Sequence, residues 1–493
     1  LLLVEFHQPG AADRQCYSGI DRVFFSSWRG CVTEVCGILI SLLLLMLLAW
    51  RGASVLVVAP ACAMVAVLAD GNTPVLAAWT QIFMPGVGQF IARFFPLFLL
   101  GAVFGAIMQY SGAARRIALV LTERMGLARA VPAVVLTCAL LTAGGVSVFV
   151  VVFAVFPVAE DLFRRAQIPH RLIPASIALG SFTFTMTALP GSVQLPNLLP
   201  MPYFRTTPWA AAGTGLVAAV VMAAAGVLWM QYRVRQAAVS GEGYGDDNAT
   251  AAGVDERGMP STFASFLPIA VVVIANLLLS LWVLPQMGAA YLAEERFGST
   301  TLSKVIGTWS AILSLLLATG IAAAMYCRSI GRLNQWLTQG AQASLLPVFN
   351  TAVEYGYGRT IAALAGFAAI RTWLGSLSSS SPLVSEAVAV NVLAGVTGSA
   401  SGGLSIAMES LGNSWYEQGL QLGVDPDLMH RVAALACGGF DSLPHNGAVI
   451  TLLLVCRCTH RQSYADIAVV SVLIPFLTTV AVVLCATAGF FGG

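Results

Sequence analysis

Apolar residues run along this chain in blocks of roughly the length that a bilayer demands. A spanning helix needs about 20 consecutive apolar residues. The clearest blocks lie near 37–50, 54–69, 94–112, 131–157, 209–230, 264–284, 305–326, 360–377 and 466–490. Further apolar stretches near 142–160, 174–190, 383–411 and 432–456 are shorter or are broken by glycine and proline. Irregular backbone at membrane depth is tolerated only where protein buries it or where it lines a cavity. Interrupted segments in both halves of a chain therefore point to a binding site. The pattern predicts an all-α polytopic membrane protein of about 10–14 transmembrane segments, some broken or re-entrant.

One long polar stretch divides the pattern. Residues 231–262 carry Glu242, Asp246, Asp247, Asp255, Glu256 and Arg257 among several glycines, the composition of a linker. It separates a first repeat, 36–230, from a second, 263–493. Arg233 and Arg235 follow one apolar block, and Arg328 and Arg332 follow another. Two blocks separate these pairs, so both fit the cytoplasmic face. Residues 1–35 mix charges with no helical stripe and read as a loose extension or an over-long start.

Composition agrees. The chain has 493 residues, is 58% apolar and 10% charged, and has a mean hydropathy of +0.82. A soluble domain carries about a quarter charged residues, so lipid is the expected surrounding. A net charge of +2 gives no sign of a nucleic-acid partner. Scattered cysteines and histidines, without CxxC or HExxH, suggest neither a metal nor a cofactor.

Two short words recur. Gly144-Gly145-Val146-Ser147 matches Gly402-Gly403-Leu404-Ser405, and Ala188-Leu189-Pro190-Gly191 resembles Ser442-Leu443-Pro444-His445. The offsets, 258 (144 to 402) and 254 (190 to 444), nearly agree, which suggests a duplication. Charges between the words net +1 in the first copy and −3 in the second, so the copies are expected to be inverted.

Candidate chemistry lies at these interruptions. In Thr187-Ala188-Leu189-Pro190-Gly191-Ser192-Val193-Gln194-Leu195-Pro196-Asn197, the first proline should end a helix, and Gly191 allows close backbone approach. N–H groups at a restarting helix attract a carboxylate. The partner stretch is Asp441-Ser442-Leu443-Pro444-His445-Asn446-Gly447. An ionisable residue at membrane depth is a functional candidate, and a histidine titrates near neutral pH, so Asp441 and His445 are candidate proton carriers. Asn446 can cap the helix that follows, leaving N–H groups for an anion. Ser147, Ser401 and Ser405 place hydroxyls beside flexible glycine backbone, although tight helix packing enriches the same residues. Glu386 is a proton site or a first-turn cap. Arg205 reads as a solvated loop residue.

At these residues the sequence resembles the gluconate permease family of the ion-transporter superfamily. Thr187-Ala188-Leu189-Pro190-Gly191 with Gln194 and Asn197, Pro202-Tyr203-Phe204 with Thr206-Thr207-Pro208, and Asp441 to Val449 with Thr459-His460-Arg461 and Ser463-Tyr464 carry the likeness, which runs from about Gly37 to the C-terminus. It implies proton-coupled symport of small hydroxylated monocarboxylates across the bacterial inner membrane, of the gluconate or 3-hydroxybutyrate type. It also implies inverted repeats with re-entrant hairpins and a homodimer. The sequence departs from the family in three places. Val148 to Phe153 is wholly apolar where an acidic residue is usual, which favours a less polar acid. Arg205 replaces a glycine, and Cys437 replaces a small neutral residue.

The expected mechanism holds the substrate carboxylate between the two broken segments. N–H groups after Pro190 and Asn446 bind it, with Ser147, Thr187, Gly191, Ser192, Gln194, Asn197, Ser401, Ser405 and Gly447 around it. His445, Asp441 and Glu386 serve the proton. Sodium coupling is the near alternative, since broken helices also bind sodium. An intramembrane serine hydrolase built on Gly398-Ser399-Ala400-Ser401-Gly402 with His445 is the distant one. It lacks the Gly-x-Ser-x-Gly elbow and leaves the duplication unexplained.

Overall fold

The computed structural model describes residues 34–45, 47–48, 51, 53–146, 148–245, 259–326, 330–369, 381–444 and 446–490. Every regular element among them is helical.

Among the described residues, five helices are long and apolar enough to cross a membrane: α3 (Val75–Tyr110), α11 (Ala212–Val239), α12 (Thr262–Gln286), α13 (Leu302–Tyr326) and α20 (His460–Thr487). Their outer faces keep exposed apolar residues, such as Leu216, Val217, Val220 and Leu228 on α11 and Leu473, Leu477 and Leu484 on α20. In water such surfaces would drive aggregation; in lipid they are solvated. A sixth span forms if α4 (Ala113–Met125) and the helix Leu127–Ala143 count together, but the pair bends by 113°. Two shorter apolar helices, α1 (Glu34–Leu45) and α2 (Val55–Asp70), open the described chain. The long helix α14 (Ile330–Ala363) packs along α3 and α2.

Between the long helices lie the broken ones. The 131–157 block is two helices, α5 (Ala130–Ala143) and α6 (Val148–Arg165), separated at Gly144 and Gly145. Gly145 has φ +85°, a left-handed turn that a side chain resists. Apolar composition alone does not reveal this break. After α6 come α7 (Ile173–Ser181) and three single turns, α8 (Phe184–Thr187), α9 (Leu195–Leu198) and α10 (Met201–Phe204). The second half also has interrupted helices. Helix α15 (Pro382–Thr397) stops at left-handed Gly398. Helix α16 (Ala400–Ala407) restarts and runs through a π-turn, Met408–Gly412, into α17 (Asn413–Leu422). Then α18 (Pro426–Cys437) ends before the Asp441 stretch, and α19 (Gly447–Val455) follows it.

The structure corrects three expectations. The Gly402-Gly403 word is not the break of the second copy: it lies inside α16, and a Cβ on Gly403 would fall 2.2 Å from Ala394 N. The break is at Gly398 and Ser399. Counted from helix restarts, Val148 matches Ala400 at an offset of 252 (148 to 400). Not all of the charged residues between the two words lie in loops. Glu409 lies in the π-turn, and Arg431 is fully buried in α18. Finally, α11 continues to Val239, because Gln231, Arg233, Arg235 and Gln236 are good helix formers despite their polarity.

Candidate functional site

The first broken segment is held by its own chain and by one arginine from the second half. Thr187 Oγ1 donates to the Thr183 carbonyl at 3.1 Å. After α8 the backbone turns at Gly191, φ +76°, whose N–H donates to the Pro208 carbonyl at 2.8 Å. A Cβ there would meet the Trp209 ring at 2.3 Å, so no other residue fits without displacement. Asn197 Nδ2 donates to the carbonyls of Ser192 (2.8 Å) and Pro208 (2.9 Å). Gln194 Nε2 reaches the α5 end, donating to the carbonyls of Thr142 (2.7 Å) and Val146 (3.3 Å). Two buried hydroxyls beside these contacts, Thr142 Oγ1 and Ser192 Oγ, have no partner. Ser147 lies outside the described residues.

The carbonyls that the broken helix exposes are taken by Arg431, on α18. Its guanidinium donates to the carbonyls of Thr187 (3.4 Å), Ala188 (3.2 Å), Pro208 (3.5 Å) and Ala210 (2.8 and 3.2 Å). Next to it, buried His430 pairs through Nδ1 with Thr206 Oγ1 at 2.5 Å and through Nε2 with Asn197 Oδ1 at 3.4 Å. The sequence reading missed both residues. They sit within an ordinary helical stretch, and only their burial marks them.

The second broken segment is organised by Asn446. Its Oδ1 accepts from the N–H groups of Ala448 (2.6 Å) and Val449 (3.0 Å), capping α19 as predicted. Its Nδ2 donates to the Gly398 carbonyl (2.9 Å), the Asp441 carbonyl (3.0 Å) and Asp441 Oδ1 (2.9 Å). Asp441 Oδ1 in turn accepts the Ala400 N–H at 2.6 Å, at the start of α16. Ser399 caps α16 through Gly402 N–H at 3.0 Å, and its hydroxyl lies 3.4 Å from Ser401 Oγ. Ser405 Oγ donates back to the Ser401 carbonyl at 2.6 Å. Gly447 is exposed. His445 lies outside the described residues.

Glu386 is no first-turn cap: Ser381 caps α15, while Glu386 sits a turn inside it. Both its oxygens are buried without a hydrogen-bond partner. Arg205 is exposed at the turn after α10, as a solvated loop residue would be. It adopts φ +56° and places its guanidinium 4.9 Å from the centre of the Tyr416 ring. That left-handed backbone is one that glycine adopts without strain.

The two segments share one geometry. Gln194 and Asn446 stand 252 apart (194 to 446), the same offset as the helix restarts, and each sends its amide N–H into the helix break of its own half. The segments touch where Thr187 meets Gly438, whose Cβ would fall 2.9 Å from Thr187 Cγ2. The expected row of free N–H groups is largely absent, since Gly191, Ala448 and Val449 already donate within the protein. A buried backbone donor is rarely left unpaired, and here short loops and caps supply the acceptors. On the surface beyond, Pro444, Ile450, His460, Arg461 and Tyr464 line an open cleft of about 510 Å³.

Long apolar spans surrounding paired, broken, polar helices define a polytopic membrane transporter. The family comparison agrees: residues 32–342 match the model of the GntP family permeases, and the chain belongs to that family as a secondary transporter of organic anions. It is 42% identical over 449 residues to the uncharacterized transporter YxjC of Bacillus subtilis (strain 168), covering 88% of this chain and 95% of that one. The crystal structure of the Alcanivorax borkumensis YdaH transporter, described as having an unusual topology, shares the fold. Its TM-score is 0.57 at 17% identity, with 85% of this chain and 90% of that one covered.

Proposed function

We propose that the chain is a proton-coupled symporter for a small hydroxylated monocarboxylate, of the gluconate or 3-hydroxybutyrate type, in the bacterial inner membrane. The observation that carries this reading is the meeting of two interrupted segments, each with polar groups left unpaired. Thr142 Oγ1 and Ser192 Oγ in the first are hydroxyls suited to an oxygen-rich solute. Glu386 and the Asp441 cluster in the second offer carboxyl groups for a proton. His445 enters on its chemistry alone. The repeats are taken as inverted, and a homodimer is expected.

Sodium coupling draws less support. Broken helices bind sodium through exposed carbonyls. Here those of Thr187 and Ala188 face the Arg431 guanidinium, and that of Gly398 faces Asn446. A hydrolase reading with Ser401 as nucleophile draws less support: the Ser401 hydroxyl lies 3.4 Å from Ser399 Oγ, which caps α16.

Purified protein in proteoliposomes tests the proposal. Radiolabelled 3-hydroxybutyrate and gluconate are offered under an imposed inward proton gradient, and again with choline replacing sodium. Accumulation that follows the gradient and ignores the sodium replacement is expected. Accumulation that needs sodium and ignores the gradient refutes proton coupling.

A further inference from the structure

Helix α14 brings an unassigned carboxyl group to the second break. Glu354 is 2% exposed, and its Oε2 is buried without a hydrogen-bond partner. It lies against the first turn of α16: a Cβ added at Gly402 would fall 1.9 Å from Oε2. Glycine at 402 is therefore the condition for this carboxyl group to reach the helix start. On the other side of that turn, Asp441 holds the Ala400 N–H. Two buried carboxyl groups thus bracket the N-terminus of a helix that continues through α17.

We propose that Glu354 carries the coupling proton, taking it up and releasing it as the α15–α16 hairpin closes and opens around it. The inference rests on the symport reading above and names the carrier.

Charge on a buried carboxylate with an oxygen left unpaired is costly. With the hairpin closed, the proton stays on Glu354. When the hairpin opens, water accepts it, and the carboxylate left behind is stabilised by the positive end of α16. Asp441 opposes ionisation by like charge. Its Oδ1 accepts from both the Ala400 N–H and Asn446 Nδ2, which ties it to the start of α16 and to the cap of α19.

The surrounding charges leave Glu354 unneutralised. One residue along α14, Tyr355 donates to Glu409 of the π-turn, which also accepts from Tyr203 at 3.0 Å. Arg359 lies 4.0 Å from Glu409, and Arg93 of α3 lies over the Tyr203 ring. On the α2 side, Tyr357 bonds Ser41, and Asp70 accepts the Ala365 N–H. Among the described residues, neither arginine reaches Glu354.

The test uses the full chain in proteoliposomes, with labelled 3-hydroxybutyrate and gluconate as probes. For Glu354→Gln, gradient-driven accumulation is expected to fall to the level seen without a gradient. Substrate exchange by counterflow is expected to continue, since it needs no net proton movement. Gradient-driven accumulation equal to wild type overturns the inference. Glu354→Asp keeps a carboxyl group at shorter reach and should retain coupling with a displaced pH profile; an unchanged profile also overturns it. Wild-type uptake indifferent to the gradient defeats the symport reading instead. Infrared difference spectra across pH need no substrate and decide Glu354 separately. A protonated-carboxyl band present in wild type and missing in Glu354→Gln supports the assignment, and a band unaffected by the substitution removes it.

Discussion

Arg431 Nη1 donates to the Ala188 carbonyl at 3.2 Å, joining residues 243 apart in sequence. A helix interrupted by Pro190 leaves carbonyls without intrahelical donors. In this chain a fully buried guanidinium from the other half answers them. The broken segment is therefore stable only when α18 is docked against it.

Removing that guanidinium orphans several buried acceptors at once. Each costs about 1–3 kcal/mol. Arg431→Met is expected to destabilise the detergent-solubilised protein by at least about 3 kcal/mol. Thermal unfolding measures this directly, and an unchanged midpoint would show that water fills the same role.

Asn446 is both cap and clamp, so its loss should exceed that of Gln194. Asn446→Ala removes a helix cap worth about 1 kcal/mol and leaves the buried Gly398 carbonyl unpaired. Gln194→Ala removes only the clamp of a partly buried side chain. Comparing the two variants by unfolding should give the larger loss at Asn446, with uptake falling in both.

Ser192 separates binding from stability. Its buried hydroxyl has no partner. Ser192→Ala is expected to leave stability unchanged or slightly raised, and to lower the apparent affinity for a hydroxylated anion. If the variant takes up both probes as wild type does, Ser192 is not in the substrate path.

Gly191→Ala tests the turn itself. A left-handed residue with a Cβ costs about 1–2 kcal/mol, and here the Cβ also strikes Trp209. Trp209 is fixed by its Nε1 donating to Asn276 Oδ1 at 2.9 Å, so it cannot swing aside freely. Lower stability together with lost uptake is expected; wild-type behaviour would mean that the turn is not rigid.

At one end of the helices, Arg171 pairs with Glu242 at 2.7 Å and with Asp466 at 3.3 Å, and Arg233 joins Asp466 at 2.7 Å. The hydrogen bond from Arg171 holds the Glu242 carboxyl below its usual range. A carboxyl group lowered in the folded state contributes stability above its unfolded value of about 4.3. That contribution is lost as pH falls through the lower folded value. Glu242 is 40% exposed, so the amount is under about 1 kcal/mol. Glu242→Gln should therefore lose a little stability at pH 7 and show a shallower acid decline. Unfolding followed between pH 7 and pH 3 checks both limbs.

Membrane residence, helical class and the position of the two interruptions are legible in the chain, because lipid admits few solutions for apolar blocks broken by Pro190, Gly191 and Pro444. Asn446 as a cap is legible too, since a cap acts within four residues. Other features are not. The words Gly144-Gly145 and Gly402-Gly403 look alike, yet one pair forms a turn while the other lies inside a helix against Ala394 and Glu354. Which glycine turns is set by what packs against it: Val193 and Leu315 beside Gly145, Ala394 and Glu354 beside Gly402 and Gly403.

By itself the sequence determined that the chain must bury its polar interruptions inside a bundle of apolar helices. That follows from the cost of unpaired backbone in hydrocarbon, which acts on every residue locally. Only the tertiary structure decided which groups satisfy those interruptions: Arg431 for the first, Asn446 and Asp441 for the second, and Glu354 waiting beside Gly402 without a partner. Such pairings depend on which helices dock together, and no spacing along the chain encodes that.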